Sequence, residues 1–583
     1  MTETLETEHG PMRVEWDVPI LMSDGVVLSA DVFRPVGDAV APVLLSHGPY
    51  GKGLSFQEGY SSAWEKLVTS HPEVVEGSSN RFQSWEVADP ERWVPLGYAC
   101  VRVDSRGAGR SPGYLDHFSK RETQDFYDCI GWAGTQEWSN GKVGLSGISY
   151  YAMTQWQVAA LRPPHLAAMC VWEGASDWYR DATHHGGILS TFTRHWYEMQ
   201  VISVQYGNGH DLFSSVTGQR VTGDEVLHDE TLRANRVDFG EAHLVHAFDD
   251  DYYAELTPDL SQIEVPVLSA GNWGGAGLHL RGNVEGYLSA GSSQKWLEMH
   301  GLEHWTEYYT AYGRGLQQQF FDHFLKGVDN GWDRQPPVML RVRHADGTFE
   351  DRTEEAWPLP NTTWTELHLD AATGSLGDTL PEQAQLTYAE LGEGATFELP
   401  VSDRTIEVTG PLALKLFVSS DTDDADLFVV VRAFDPHGRE ITFPGAIDPH
   451  SPPAQGWLRA SHRALDPHRS LPYRPFHPHD SRDPLEPGRV YEVDVEIWPT
   501  SLMLPPGYRF AVTVQGHDYE YEGAGDEELS NIRGKLRGSG PFVHDDPIDR
   551  PVYDTTNPAP AAKVTLYTGG ETSSRLIVPF TYR

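Results

Sequence analysis

Residues 141–160, GKVGLSGISYYAMTQWQVAA, decide how the chain is read. Val143 to Ser146 form a short apolar run, Gly147-Ile148-Ser149 is a turn that opens on glycine, and from Tyr150 the spacing is helical. In that setting a G-x-S motif points to a nucleophile, because a sharp turn between strand and helix lifts the serine hydroxyl above the sheet. The helix N-terminus behind it favours the negative charge that develops as the hydroxyl attacks a carbonyl. Ser149 is therefore the candidate nucleophile. The usual G-x-S-x-G is incomplete, since Tyr151 holds the last glycine position, with Ala152 as the nearest small residue. The competing reading is a serine in an ordinary turn, and Ser146, at the strand end, is the rival hydroxyl.

Outward from this stretch, apolar runs recur at 41–46, 98–103, 166–172, 265–270 and 294–300, separated by helical spacing. Continuous apolar strands between helices predict a mostly parallel sheet covered on both faces. Functional loops in such sheets leave the carboxyl ends of the strands, where the polar motifs of this chain lie. Residues 16–34 alternate around Ser23-Asp24-Gly25 and predict a hairpin; the run at 294–300 is expected to be the sheet's last strand. The connection 54–95 is too long for an ordinary strand-to-helix loop. Residues 178–260, with polar and aromatic helical patterns, are placed to form a cap. From 336 onward, alternating segments such as 338–342, 412–416 and 491–497 are punctuated by Gly, Pro and Asp, the texture of a sandwich or jelly roll. The expected organisation is an α/β domain of residues 1–177 and 261–335, interrupted by a helical cap at 178–260 and followed by an all-β domain at 336–583.

With 583 residues the chain exceeds what one core supports, and 11% aromatic content suits large cores and apolar pockets. A formal charge of −40 repels phosphate backbones and anionic membranes, so neither nucleic acid nor membrane is an expected partner. Three cysteines, Cys100, Cys129 and Cys170, each among apolar neighbours, do not make a disulfide framework and fit a reducing compartment. No basic segment followed by an apolar run opens the chain, and no apolar stretch approaches the ~18 residues of a spanning helix. A cytoplasmic protein is expected, with self-association left open.

The run WSNGKVGLSGISYYAMTQWQVAALRPPHLAAM (138–169) resembles the nucleophile region of the cocaine-esterase and X-prolyl dipeptidyl-peptidase family, which includes α-amino-acid ester hydrolases and some cephalosporin acylases. VPILMSDGVVLSADVFRP (18–35), VRVDSRGAGRSPG (101–113), FFDHFLKGVDNGW (320–332) and PGRVYEVDVEIWPTSLMLPPGYRFAVTVQG (487–516) carry the same resemblance, in the family's order. It implies an α/β-hydrolase domain with a helical cap and a C-terminal jelly roll, hydrolysing acyl bonds without metal or organic cofactor.

A serine nucleophile needs a base, and histidine suits neutral pH. In sheet hydrolases the histidine follows the last strands, which favours one within His300-Gly-Leu-Glu-His304; the resemblance selects His304, with His300 and then His279 behind it. Oxyanion donors are expected from the Tyr150 N–H, next to the nucleophile, and, by resemblance, from the Tyr50 hydroxyl in His47-Gly-Pro-Tyr50. The alternative for Tyr50 is a ring packed in a turn. The acid departs from the family's pattern. The turn Ala270-Gly271-Asn272-Trp273-Gly274-Gly275 has glycine where the family has aspartate, and Asn272 carries no charge. Some α/β hydrolases place the acid one strand earlier, which makes Glu173 the first candidate and Asp177 the second, with Glu303 lower; a plain loop carboxylate is the competing reading of Glu173.

Asp104-Ser-Arg-Gly-Ala-Gly109 lacks the residues of a phosphate-binding loop and reads as a structural turn. His184-His185 and His477-Pro-His479 invite a metal reading, but their loop composition favours solvated loops. The expected activity is a serine hydrolase cleaving a small-molecule ester or amide through an acyl-enzyme, first of all a carboxylic ester. An aminopeptidase or amidase, and a degenerate ligand-binding hydrolase fold, are the alternatives.

Overall fold

The computed structural model describes residues 2–583. The apolar runs become strands close to their expected bounds, and eleven strands form the first sheet: β1 Thr2–Thr7, β2 Gly10–Leu21, β3 Val27–Pro35, β4 Ala41–Gly48, β5 Ala99–Asp104, β6 Ser139–Ile148, β7 Leu166–Trp172, β8 Val267–Asn272, β9 Lys295–His300, β10 Val338–Arg343 and β11 Phe349–Glu354. Their spatial order is β1-β2-β3-β5-β4-β6-β7-β8-β9-β10-β11. The strands from β5 to β10 run parallel, whereas the flanking pairs are antiparallel. Burial follows direction. Every residue of β4, β5 and β8 is buried, as two covered faces require.

Four helices set the covering layers: α1 Lys120–Gly134, α2 Tyr150–Ala160, α3 Leu280–Ser289 and α4 Ala311–Lys326. Helix α1 opens on Ser119, whose side chain accepts the Glu122 N–H, and buries Phe126, Cys129, Ile130 and Ala133 at helical spacing. Helix α2 is buried from Tyr150 to Ala159, because the sheet lies under it and other elements cover its outer side.

Two expectations need correction. The strand at 294–300 is not the last, and the first two strands after 336 pair with the first sheet rather than the second. Strands β10 and β11 continue the first sheet, β10 parallel to β9 and β11 antiparallel to β10. The alternation that reads as sandwich texture belongs to an antiparallel edge ribbon on a mostly parallel sheet, a common arrangement in large sheets. The polar strand β1, TETLET, closes the opposite edge.

Between β7 and β8 lies the cap: the turn Trp178–Thr183, a small hairpin of His184–His185 with Ile188–Leu189, and short helices including Phe192–Trp196, Asp229–Ala234, Phe239–Val245 and Asp251–Leu256. Residues beyond β11 form a second eleven-stranded sheet, a jelly-roll-like domain that closes on itself because Arg575–Tyr582 pairs with both Trp364–Asp370 and Ile406–Ser420. Its longest ladder opposes Leu412 to Ile497, Leu414 to Val495 and Leu416 to Val493, aligning aliphatic residues toward the interior. An apolar cluster joins the two domains, with Leu297, Met299 and Leu340 of the first sheet packed in one group with Phe428, Trp457 and Trp498 of the second. Among the described residues no helix is long and apolar enough to cross a membrane, and all three cysteines are free and buried.

Candidate active site

The parallel register aligns strand ends: Ile148 lies opposite Trp172, and Asn272 opposite His300. Ser149, Glu173 and the 301–304 loop therefore leave the sheet at one edge. Ser149 has φ 57 and ψ −115, a conformation that a non-glycine residue adopts at a cost of about 1–3 kcal/mol. Its N–H donates to the carbonyls of Trp172 and Glu173, both at 3.1 Å, and its carbonyl accepts from the Ala152 and Met153 amides at 2.9 and 2.8 Å. Tyr151 fits where the motif usually has glycine because two other glycines make room. A Cβ on Gly147 would stand 2.3 Å from the Tyr151 Cβ, and one on Gly48 would stand 2.6 Å from its ring. Ala152 supplies the expected small contact, against Gly174. Ser146 is buried in β6 with its hydroxyl bonded to Tyr308, so it is not the exposed hydroxyl. Ser149 is half-buried, and among the described residues its hydroxyl has no hydrogen-bond partner.

His304 stands between two carboxylates. Its Nδ1 donates to Glu173 Oε2 at 2.7 Å, and its Nε2 is hydrogen-bonded to Glu86 Oε1 at 2.8 Å. Both glutamates are tied to the serine turn through their backbones: the Ile148 N–H donates to the Glu86 carbonyl at 3.0 Å, and the Ser149 N–H to that of Glu173. Glu86 and Glu173 also have positive φ, 62 and 51. The backbone amide of His304 donates to Ala446 O at 2.6 Å, a contact from the C-terminal domain. The His279 ring stacks on His304 at 5.1 Å and 11°. Burial alone would lower the His304 pKa, but Glu173 and then Glu86 hold it up at about 10. Glu173 is brought down to about 2 against the effect of its burial, by His304 and His300. Burial pushes Glu86 up to about 7, with His304 only partly opposing it.

Of the acids expected from the sequence, Glu173, ranked first, is the one that meets His304. Its other oxygen accepts from Asn272 Nδ2 at 3.2 Å and lies 3.3 Å from His300 Nε2. Asn272 replaces the missing charge with a donor, and it is itself held by Leu302 O at 2.8 Å and the Gly274 amide at 2.8 Å. Asp177 is occupied elsewhere, capping the 178–183 turn and pairing with Arg180 at 2.9 Å. Glu303 accepts from the Thr306 hydroxyl rather than from a histidine.

Tyr50 is buried with its oxygen accepting from the Trp196 indole N–H at 3.1 Å, so its own proton is free to donate. Burial, reinforced by Glu86, keeps that phenol protonated. The Tyr150 side chain is engaged away from the turn, with Glu122 at 2.6 Å and His117 at 3.1 Å, while its backbone N–H opens α2, where the first amides have no intrahelical acceptor.

Glu86 is the residue that sequence reading missed. It sits in the long 54–95 connection, in no motif, and only the fold brings it to the histidine. The Asp104 turn is structural as expected, its carboxylate accepting the Lys52 and Arg110 amides at 2.6 and 2.8 Å. The paired histidines are not solvated. His184, His185, His477 and His479 are all buried where the cap meets the C-terminal domain, and His479 lies 3.1 Å from His462 through their Nδ1 atoms.

A strained serine on a strand-to-helix turn, and a histidine held by two buried glutamates whose backbones bond that turn, on a mostly parallel sheet, fit a serine hydrolase of the α/β-hydrolase fold. Residues 24–306 match the model of the X-Pro dipeptidyl-peptidase (S15) family, and residues 330–577 that of the X-Pro dipeptidyl-peptidase C-terminal non-catalytic domain. A CocE/NonD family hydrolase from Staphylococcus aureus is 32% identical, with a TM-score of 0.84, covering 100% of this chain and 96% of that one. The chain belongs to this family of hydrolases, which act on ester or amide bonds. The cocaine esterase of a Rhodococcus strain is 25% identical over 88% of this chain and 92% of that protein. An α-amino acid ester hydrolase of 16% identity and TM-score 0.67 shares the fold across 98% of this chain and 97% of its own.

Proposed function

We propose that the protein is a carboxylic ester hydrolase in which Ser149 is the nucleophile, His304 the general base and Glu173 the acid that orients it. The supporting observation is the pair of short bonds that fix His304 between Glu173 and Glu86, both hydrogen-bonded through their backbones to the serine turn. Glu173 holds the Nδ1 proton, which leaves Nε2 as the atom that exchanges protons with substrate and serine. Ser149 Oγ attacks the ester carbonyl while His304 Nε2 takes its proton, so Glu86 must first yield that nitrogen. The Tyr150 N–H and the Tyr50 hydroxyl stabilise the oxyanion, each donor being worth about 3 kcal/mol in such sites. His304 then returns the proton to the leaving alcohol, and water, activated by the same nitrogen, releases the acid from Ser149.

Hydrolysis of p-nitrophenyl acyl esters tests this reading. Ser149→Ala is expected to abolish turnover while leaving the melting temperature unchanged; retained turnover would move the nucleophile elsewhere. A second reading, an aminopeptidase-type substrate with a free ammonium group, is favoured by Glu86 Oε2, a buried acceptor without a partner. Preference for aminoacyl over plain acyl esters, lost in Glu86→Gln, would select it.

A further inference from the structure

Glu173 works under an unusual constraint. It leaves β7, whereas His304 follows β9, so its carboxylate must reach across the end of β8. Neighbouring strands lie about 4.8 Å apart, which makes this a span of roughly 10 Å. Asn272, at the end of β8, holds one side of the bridge. The other side is held by His300, the last residue of β9 and the register partner of Asn272. His300 is fully buried and stacks on Trp172 at 5.0 Å. Its Nε2 faces Glu173 Oε1 at 3.3 Å, and its Nδ1 bonds Glu298 Oε2 at 2.7 Å. Glu298 sits two residues back on the same strand, hence on the same face, and accepts from the Tyr312 hydroxyl at 3.0 Å. Carboxylates and imidazoles thus alternate from Glu298 through His300, Glu173 and His304 to Glu86.

We propose that Glu298 and His300 form a second carboxylate–imidazole unit that positions Glu173 for the reaction, so that the acid can serve from β7. The inference rests on Glu173 being the triad acid. A buried carboxylate needs a paired counter-charge and a full set of donors. Glu173 has two imidazoles, one on each oxygen, and only His304 exchanges a proton with substrate. His300 never touches the reacting atoms; it fixes the rotamer of Glu173 and supplies positive charge behind it. The charged and titratable groups around this unit are Glu298 from its own strand, Glu173 and the Cys170 thiol from β7, Tyr312 from α4 with Arg341 of β10 and Glu307 beside it, and His304 beyond Glu173 with His279 stacked on it. Glu298, ahead of Glu173, offsets the burial of His300 and holds its pKa up at about 10.

The test uses the full-length protein and p-nitrophenyl ester hydrolysis. His300→Gln keeps a donor but loses the charge. It is expected to lower kcat roughly ten- to hundredfold with KM nearly unchanged, the range of coupling inside one hydrogen-bond network. The acid limb of kcat/KM should move to higher pH, since His304 holds its proton more tightly once a neighbouring positive charge is gone. In a Glu173→Gln background the same change should cost nothing further, because His300 acts through Glu173. An unchanged limb, or losses that multiply in the double variant, would overturn the proposal. If Glu173→Gln lowers kcat and His300→Gln does not, this inference alone fails; if Glu173→Gln itself has no effect, the triad reading fails with it. Should His300→Gln not fold, Glu298→Gln reads the same chain from its far end. Without Glu298, His300 loses its proton at lower pH, so the alkaline limb should move down, and an unmoved limb would contradict the proposal.

Discussion

Glu86 holds His304 through Nε2 at 2.8 Å, the nitrogen by which an imidazole takes the proton of a serine. An ionised Glu86 favours the imidazolium, which is not a base. On the proposed mechanism, substrate and Glu86 compete for that one atom.

Removing that carboxylate charge has a definite sign. In Glu86→Gln the raised His304 pKa falls, the base is free at lower pH, and the acid limb of kcat/KM moves downward. A limb displaced by one pH unit changes the rate about tenfold at any pH below it. A pH–rate profile checks this, and coincident limbs for the two proteins would mean that Glu86 does not govern the base.

The proposed acid, Glu173, gives a second expectation. Glu173→Gln should lower kcat by about 10⁴, as loss of a triad carboxylate does elsewhere. Asn272 Nδ2 lies 3.2 Å from the Glu173 carboxylate, so Asn272→Asp in that background returns a charge close to where it was lost. Recovery of at least about tenfold is expected. Asn272→Asp alone should instead slow the enzyme, because two carboxylates would then face each other across a buried gap. Steady-state kinetics of the three variants decides.

The C-terminal domain reaches the histidine through one loop. The Ala446 carbonyl accepts the His304 amide at 2.6 Å, and the Ala446 amide donates to Gly274 O at 2.9 Å. A Cβ on Gly274 would fall 2.3 Å from the Gly445 backbone. Gly274→Ala should push this clasp apart, lowering kcat about tenfold or more for a misplacement under about 1 Å and depressing the melting temperature. Kinetics and calorimetry on one preparation check both effects.

Buried imidazoles at the domain junction set an acid limit on stability. Burial holds His184 and His479 well below the ordinary range and His462 at about 4. An unfolded chain protonates such groups near about 6.5, so their stabilising contribution is complete above that pH and is lost as pH falls toward about 4. Each group contributes up to about 1.4 kcal/mol per pH unit within that window. Calorimetry between about pH 7 and pH 4.5 should show the melting temperature falling, less steeply in a His462→Gln/His479→Gln double variant; parallel slopes would assign the acid sensitivity to other groups.

What was legible in the sequence depended on range. The strand, turn and helix around Ser149 were readable because they are local, and the first six parallel strands because continuous burial leaves continuous apolar runs. The contact of Glu173 with His304 was anticipated once Asn272 stood where a carboxylate was wanted and an acidic residue followed the apolar run of β7. Glu86 left no such mark: its partner is more than two hundred residues away, in a connection without periodicity. The histidine pairs misled because proline and polar neighbours look the same in a solvated loop and in a loop buried by another domain. Strand β10 misled because its sequence does not show which sheet supplies its partners.

Mass-spectrometric mapping of a fluorophosphonate adduct reports most directly on the serine at the centre of the site. One adduct per chain is expected, on Ser149, with loss of esterase activity in proportion to labelling and no labelling of Ser149→Ala. An adduct on another residue, or full labelling of that variant, would contradict the assignment of Ser149 as the nucleophile activated by His304.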